Sequence, residues 1–139
     1  MRQVTTGGPN SELVARFLQL VNAQELDEAL AMVDPEAVLD WSRSDAPDHG
    51  LYTGPEAWRR WMSSRWEGLT GATFEVRELI EVPPDRVVVV ADMRGVGRAS
   101  GLETAALGSS VVAIRDGVLV RITLFQSEGE ALEAVELEG

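Results

Sequence analysis

At 139 residues, with 45% hydrophobic and 25% charged side chains, the chain has the length and balance of one soluble globular domain, able to bury most of the surface of its unfolded state. Twenty-three acidic residues against twelve basic ones leave a formal charge of −11, which repels phosphate backbones and anionic membrane surfaces, so neither nucleic acid nor membrane is an expected partner. No Cys means no disulfide, thiolate nucleophile or thiolate metal site, and cations that are all Arg exclude Schiff-base chemistry, which needs a primary amine.

The longest apolar run, Val87 to Ala91, is five residues, where a bilayer span needs roughly 20. Met1 to Pro9 carries one Arg and no apolar core, so a secretory signal is not expected and a cytoplasmic setting is. Residues 1–10 read as a flexible N-terminus and 11–139 as a single domain.

In chain order, Asn10 and Ser11 are candidate caps for a helix whose Leu13, Val14, Phe17, Leu18 and Val21 fall on one side. Leu26, Ala29, Leu30 and Val33 repeat the pattern until Asp34-Pro35 stops it. Ala37 to Ser42 alternates as a strand, with Ala37, Leu39 and Trp41 on one face and Val38, Asp40 and Ser42 on the other. Arg43 to Gly54, rich in Ser, Asp, Pro and Gly, reads as the one long loop, and such loops are often functional. Pro55 and Glu56 suit a helix start, and Ala57, Trp58, Trp61, Met62 and Arg65 then share a face, with Trp66 at its edge.

From Ala72 the period is two, placing Phe74, Val76, Glu78, Ile80 and Val82 on one side of a strand that ends at Pro83-Pro84-Asp85. Val87 to Arg98 is a long strand whose Gly95 and Gly97 suggest a bend where a sheet curls. Glu103 to Arg115 and Val118 to Gln126 are joined by Asp116-Gly117, a strong hairpin signal. Ala131, Leu132, Val135 and Leu137 fit a short terminal helix. This order predicts an α+β fold: a cone-shaped, curved antiparallel or mixed sheet wrapped around the N-terminal helices and the Trp-rich third helix, enclosing a pocket open at one end. A pocket walled by Trp, Met and Val points to a small, largely apolar molecule as its partner.

The stretch Phe17 to Leu30, the Asp34-Pro35-Glu36-Ala37-Val38 step, Tyr52-Thr53-Gly54-Pro55-Glu56-Ala57, Gly97-Arg98-Ala99-Ser100-Gly101 and Arg115-Asp116-Gly117 together resemble the SnoaL-like branch of the nuclear transport factor two-like superfamily, over roughly residues 11 to 137. The resemblance implies a cone-shaped α+β barrel, a deep apolar pocket and a homodimer formed through the outer sheet face. The superfamily holds polyketide cyclases, ketosteroid isomerase, limonene epoxide hydrolase and dehydratases beside non-catalytic members, so fold does not fix function. Ketosteroid isomerase uses a carboxylate base and an oxyanion hole of Tyr and protonated Asp. Its pattern falls here on Trp41 for the base, Phe17 for the Tyr and Ser110 near the Asp, and of these only Ser110 can donate a hydrogen bond. Limonene epoxide hydrolase holds a water with an Arg flanked by two Asp residues. Asp92 and Arg94 lie at i, i+2, but no second Asp matches.

Three candidates remain for catalysis. Asp40 is either a general base, its pKa raised by an apolar wall, or a solvent-facing residue capping a local turn. His49 is either a proton shuttle or lid residue, or a plain surface histidine. Tyr52 either donates a hydrogen bond at the pocket mouth or anchors the loop. For ligand binding the candidates are Trp41, Trp58, Trp61, Met62, Arg65, Asp92, Arg94 and Ser110, with Trp58, Trp61 and Met62 equally readable as core and the charged ones as ion pairs. No cofactor and no metal is expected, since one His and scattered carboxylates lack ligand spacing. Two functions fit: an acid/base enzyme of the cyclase, isomerase, dehydratase or hydrolase kind acting on a hydrophobic molecule, or a non-catalytic ligand-binding or dimerisation domain.

Overall fold

A run of five apolar residues in one strand can be buried only if both faces of its sheet are covered, and the computed structural model meets that demand with helices on either side. It describes residues 3–4, 8–43, 50–97, 99–107, 109–125 and 128–138. In chain order the elements are β1 (Gln3–Val4), α1 (Pro9–Asn22), α2 (Leu26–Leu30), β2 (Val33–Asp40), β3 (Leu51–Thr53), α3 (Pro55–Gly68), β4 (Leu69–Val82), β5 (Arg86–Gly97), β6 (Glu103–Leu107), β7 (Ser110–Arg115), β8 (Val118–Leu124) and α4 (Glu128–Glu138). One mixed sheet of eight strands runs β1-β4-β5-β7-β8-β2-β3, with β6 also on β5. The pairings are antiparallel except β2 with β8, which is parallel. This is the curved α+β cone the sequence predicts.

Local departures have identifiable causes. Helix α1 begins at least two residues earlier than expected, after Gly8. Ser11 is not its cap; it is fully buried, and its backbone N–H and Oγ both donate to Glu81 Oε1 at 2.9 Å. A carboxylate on β4 thus satisfies an orphan donor at the positive end of the helix dipole. Val33, expected in the second helix, opens β2, and the register of β2 on β8 slips between Val33 and Val38, around the proline step. The expected loop contains a short strand, β3, paired to the end of β2. The expected strand 103–115 divides into β6, ending at Leu107, and β7, beginning at Ser110, yet Asp92 opposite Leu107 and Val89 opposite Ser110 belong to one register, so β6 and β7 lie along the same edge of β5. Asp116 and Gly117 both take the left-handed backbone, φ 53° and 78°, as a two-residue hairpin of the right twist requires.

Alternation sorts the sheet into two apolar faces. Val87, Val89 and Ala91 of β5 face α1 and α3, joined by Leu39, Val112, Ile122, Phe17, Trp58 and Trp61. Val88 and Val90 face the other way, with Ile80, Val111 and Phe125, beneath Ala131 and Val135 of α4. In β4 the expected single side is broken, because the pairing with β5 slips between Val76 and Glu78. Phe74 therefore packs inside with Leu79, while Ile80 and Val82 pack outside and Val76 is exposed. The outer face, through which the resemblance implies a homodimer, is covered over its apolar part by the chain's own α4. No helix among the described residues is long and apolar enough to cross a membrane.

Trp58 holds α3 against the sheet: it is fully buried, meets Phe17 edge to face at 6.2 Å, and its Nε1–H donates to the carbonyl of Ala37 at 3.1 Å. Trp58→Ala is expected to cost about 3–5 kcal/mol of unfolding free energy, read from urea denaturation; an unchanged midpoint would show that this contact does not anchor the helix.

Candidate functional site

A small cavity of about 40 Å³ lies at the inner face of the sheet. Helix α1 supplies Phe17, Leu18 and Val21, α3 supplies Trp61 and Met62, and the sheet supplies Leu39, Phe74, Val89, Ala91, Ser110, Ile122 and Leu124. Its depth is set by Phe17, Leu39, Val89 and Ala91, all nearly inaccessible, while Leu18, Phe74 and Leu124 are half-buried and form its rim. Opposite Phe74 the rim is tied by Asn22, whose Nδ2 donates to the Phe74 carbonyl at 2.9 Å and whose Oδ1 accepts from the Phe74 N–H at 2.8 Å. A side-chain amide so takes the place of a neighbouring strand.

Of the residues singled out in the sequence, Trp61, Met62 and Ser110 line this cavity. Trp41 is half-buried and braces Trp61 edge to face, with ring centres 5.4 Å apart and planes at 81°. Trp58 belongs to the packed core behind the wall rather than to the wall. Tyr52, on β3 opposite Leu39, is half-buried against the same core. His49 lies outside the described residues, and so does the side chain of Arg65. The other lining residues read in the sequence as ordinary core, and their only signal was that they share faces with Trp61 and Met62.

Asp40, Asp92 and Arg94 are placed away from the cavity. Asp92 and Arg94 share the β5 face of Val88 and Val90 and join a surface ion-pair ladder: Arg94 with Glu75, and Asp92 with Arg77 and Arg94 at 3.8 Å each. Asp40 takes the second of its two readings and caps a local turn. Its Oδ2 accepts from Arg121 at 2.7 Å, and its Oδ1 accepts from the Ser42 N–H and hydroxyl at 3.0 and 2.6 Å. Burial of a carboxylate raises its pKa, but the Ser42 hydrogen bonds and the Arg121 charge outweigh that here and hold Asp40 below its ordinary value. A carboxylate so stabilised is a poor proton acceptor at neutral pH.

Chemically, then, the described wall of the inner cavity is apolar apart from the Ser110 hydroxyl and the Trp61 indole N–H, with no ionisable side chain among the described lining residues. Such a site can select a greasy molecule with one hydrogen-bonding group. Among the described residues no three His, Cys, Asp or Glu side chains converge as a metal site would require.

An α+β cone closed over a small apolar chamber defines a protein of the nuclear transport factor two-like fold. The chain belongs to the SnoaL-like domain family, whose profile matches residues 14–122. Among solved structures, TerC, co-crystallised with polyporic acid, is 19% identical with a TM-score of 0.74, covering 93% of this chain and 99% of that one. RV0760c from Mycobacterium tuberculosis, in complex with estradiol-17beta-hemisuccinate, is 14% identical with a TM-score of 0.73 over 91% and 97%. SalBIII, an epoxide hydrolase/cyclase-like enzyme of pyran ring formation in polyether salinomycin, is 17% identical with a TM-score of 0.71 over 86% and 92%. At these identities the likeness establishes the fold. No protein of curated function matches the chain.

The Asp40 geometry has a measurable signature. Asp40→Asn removes the charge from Arg121 and weakens both Ser42 bonds, and is expected to cost about 1–3 kcal/mol at pH 7. Because the folded-state pKa is depressed, this contribution is fully present above the ordinary value of 3.8 and is lost as pH falls through the lower folded value. The difference between the two proteins in urea midpoint should therefore begin to narrow below about pH 4 and go on narrowing as pH falls further; a difference that stays constant as pH falls would remove the charge from the explanation.

Proposed function

We propose that this SnoaL-like protein binds a small, largely apolar molecule carrying one hydrogen-bonding group in the inner cavity, and that it does so as a binding protein rather than as an acid/base enzyme. The observation that carries this reading is the lining itself: among the described lining residues only the Ser110 hydroxyl and the Trp61 indole N–H are polar, and none is ionisable. Proton transfer needs a titratable group within hydrogen-bond reach of the substrate, and Asp40, the carboxylate candidate for a base, is tied up in an ion pair on the opposite side of the sheet, as is Asp92 from the ligand-binding candidates. The ligand-bound structures of TerC and RV0760c support small-molecule binding by this fold.

The resting cavity has room for roughly three waters, whereas a benzene-sized guest fills roughly 150 Å³. Entry therefore moves side chains of the wall. Met62 is the natural one, buried but unbranched and flexible, and Leu18 and Leu124 at the rim are only half-buried.

Titration with 2-naphthol and with naphthalene, followed by tryptophan fluorescence, tests the reading. Saturable quenching is expected for both, lost in Ala91→Leu, which fills the floor. Ser110→Ala should weaken 2-naphthol by about 3- to 10-fold, the worth of one hydrogen bond, and leave naphthalene unchanged. Met62→Ala should tighten both while costing about 2–5 kcal/mol of stability. Quenching that survives Ala91→Leu would place the ligand elsewhere, and turnover abolished by His49→Ala would make the protein an enzyme instead.

A further inference from the structure

At about 40 Å³ the inner cavity is closed to a guest of benzene size, which fills roughly 150 Å³, so a passage must open before a ligand enters. A flexible wall residue such as Met62 makes room, but room and passage are different requirements. The rim is held most lightly at Phe74.

Strand β4 is irregular on both sides of that residue. Its pairing with β5 slips once between Thr70 and Thr73 and again between Val76 and Glu78, so Thr73 to Val76 form a segment with a register of their own. Gly71, inside the first slip, takes the left-handed backbone at φ 68°, and a methyl built there would meet nothing within 4 Å. The turn of the backbone, rather than crowding, is what asks for glycine. Bulges bend a strand and disrupt its ladder locally, which gives the segment a hinge at each end.

Among the described residues no strand pairs with the far edge of this segment, since β1 reaches β4 only at Ile80 and Glu81. The Asn22 amide stands there instead, donating to the Phe74 carbonyl at 2.9 Å and accepting from the Phe74 N–H at 2.8 Å. Asn22 itself is firmly seated as the last residue of α1. Just beyond it Gln24, at φ 59°, donates its N–H to the Val21 carbonyl at 3.0 Å, and the Glu25 N–H donates to the Leu20 carbonyl at 2.9 Å, a closed helix end. One side of the contact is thus fixed to the helix that supplies Phe17, Leu18 and Val21 to the cavity, and the other side is hinged.

Little else holds the segment inward. Glu75, Val76 and Arg77 are exposed, and Phe74 is half-buried. Ion pairs of Glu75 with Arg94 and of Arg77 with Asp92 join this stretch to β5 on the other side of the sheet, where they keep the β5 ladder as an axis without opposing a swing of Phe74 away from α1. Segments with few buried apolar contacts are the ones that open locally.

We propose that Thr73 to Val76 form the door of the inner cavity, hinged at the two register slips and latched by the Asn22 amide, a step that rests on the binding reading above. Ligand passes when the latch releases Phe74. A latch closed in both the empty and the filled state sets the rate of exchange and not the affinity, because it raises the barriers to entry and exit alike.

Two measurements on the full chain test this. Amide hydrogen exchange followed by NMR needs no ligand: in Asn22→Ala, exchange at Phe74 should rise at least about tenfold more than at Val89 in the middle of the sheet, two hydrogen bonds having been lost. Stopped-flow quenching of tryptophan fluorescence by naphthalene should show association and dissociation both faster by at least about threefold, with Kd within about twofold of the parent. Asn22→Asp keeps an acceptor for the Phe74 N–H but sets a carboxylate against the Phe74 carbonyl, and carries the same expectation, so the outcome does not depend on the folding of the alanine variant. Exchange at Phe74 that rises no more than at Val89, unchanged rates, or a Kd that weakens through dissociation alone would each overturn the latch. A parent protein that naphthalene does not quench would overturn the binding reading, and hydrogen exchange then decides the latch by itself.

Discussion

The structure depends on one constraint: β5 carries consecutive valines, Val87 to Val90, and each neighbour in that run looks to a different side. Neither side can be left to water. Burying a valine is worth about 1.5–3 kcal/mol, so exposing either set would forfeit several kcal/mol, a large share of a domain's net stability. Helices α1 and α3 cover the inner set and α4 the outer one. The rest of the fold accommodates this arrangement. Strand β4 must bulge between Val76 and Glu78 to offer Phe74 and Leu79 inward and Ile80 outward.

The same alternation separates the chemistry. Along β2 and β8, Leu39, Trp41 and Ile122 serve the inner core while Asp40, Arg121 and Thr123 line a hollow on the outer face. Ser110 and Val111 are chain neighbours and face different chambers. Charges on this sheet can reach solvent or one another only on the outer side, because desolvating an unpaired charge against the inner wall would cost several kcal/mol. The described wall of the inner chamber is thereby left without an ionisable group.

The two-residue period was legible wherever strands stay regular. It separated Trp41 from Asp40 onto opposite faces, marked the Asp116-Gly117 hairpin, and together with the family motifs gave the cone. It failed where a bulge changes parity, since nothing in Val76-Arg77-Glu78 announces that the pairing slips there. It also left Asp40 open between two environments, because its partner Arg121 lies 81 residues away and only parallel pairing of β2 with β8 brings them together. The contact of Asn22 with Phe74 was illegible for the same reason: it spans 52 residues, and singly each reads as a helix end or a strand residue. Terminal-helix residues Ala131 and Val135 were read correctly as apolar, but what they cover is decided by the curl of the sheet.

Helix α4 links these points. Its described buried contacts are small, Ala131 and Val135, with Leu132 and Ala134 only partly covered, and its outward residues Glu130 and Glu133 are acidic. A helix holding on through so few apolar atoms gains little from burial compared with α1, which brings Val14, Phe17, Leu20 and Val21 to the core. Local openings are drawn from the elements with the fewest buried apolar contacts, which makes α4 the weakest cover in the domain. Its lifting would bare Val88, Val90, Val111 and Phe125 together, the face through which homodimers of this family are expected to form. Exposing such a contiguous patch is unfavourable unless a second surface replaces the helix.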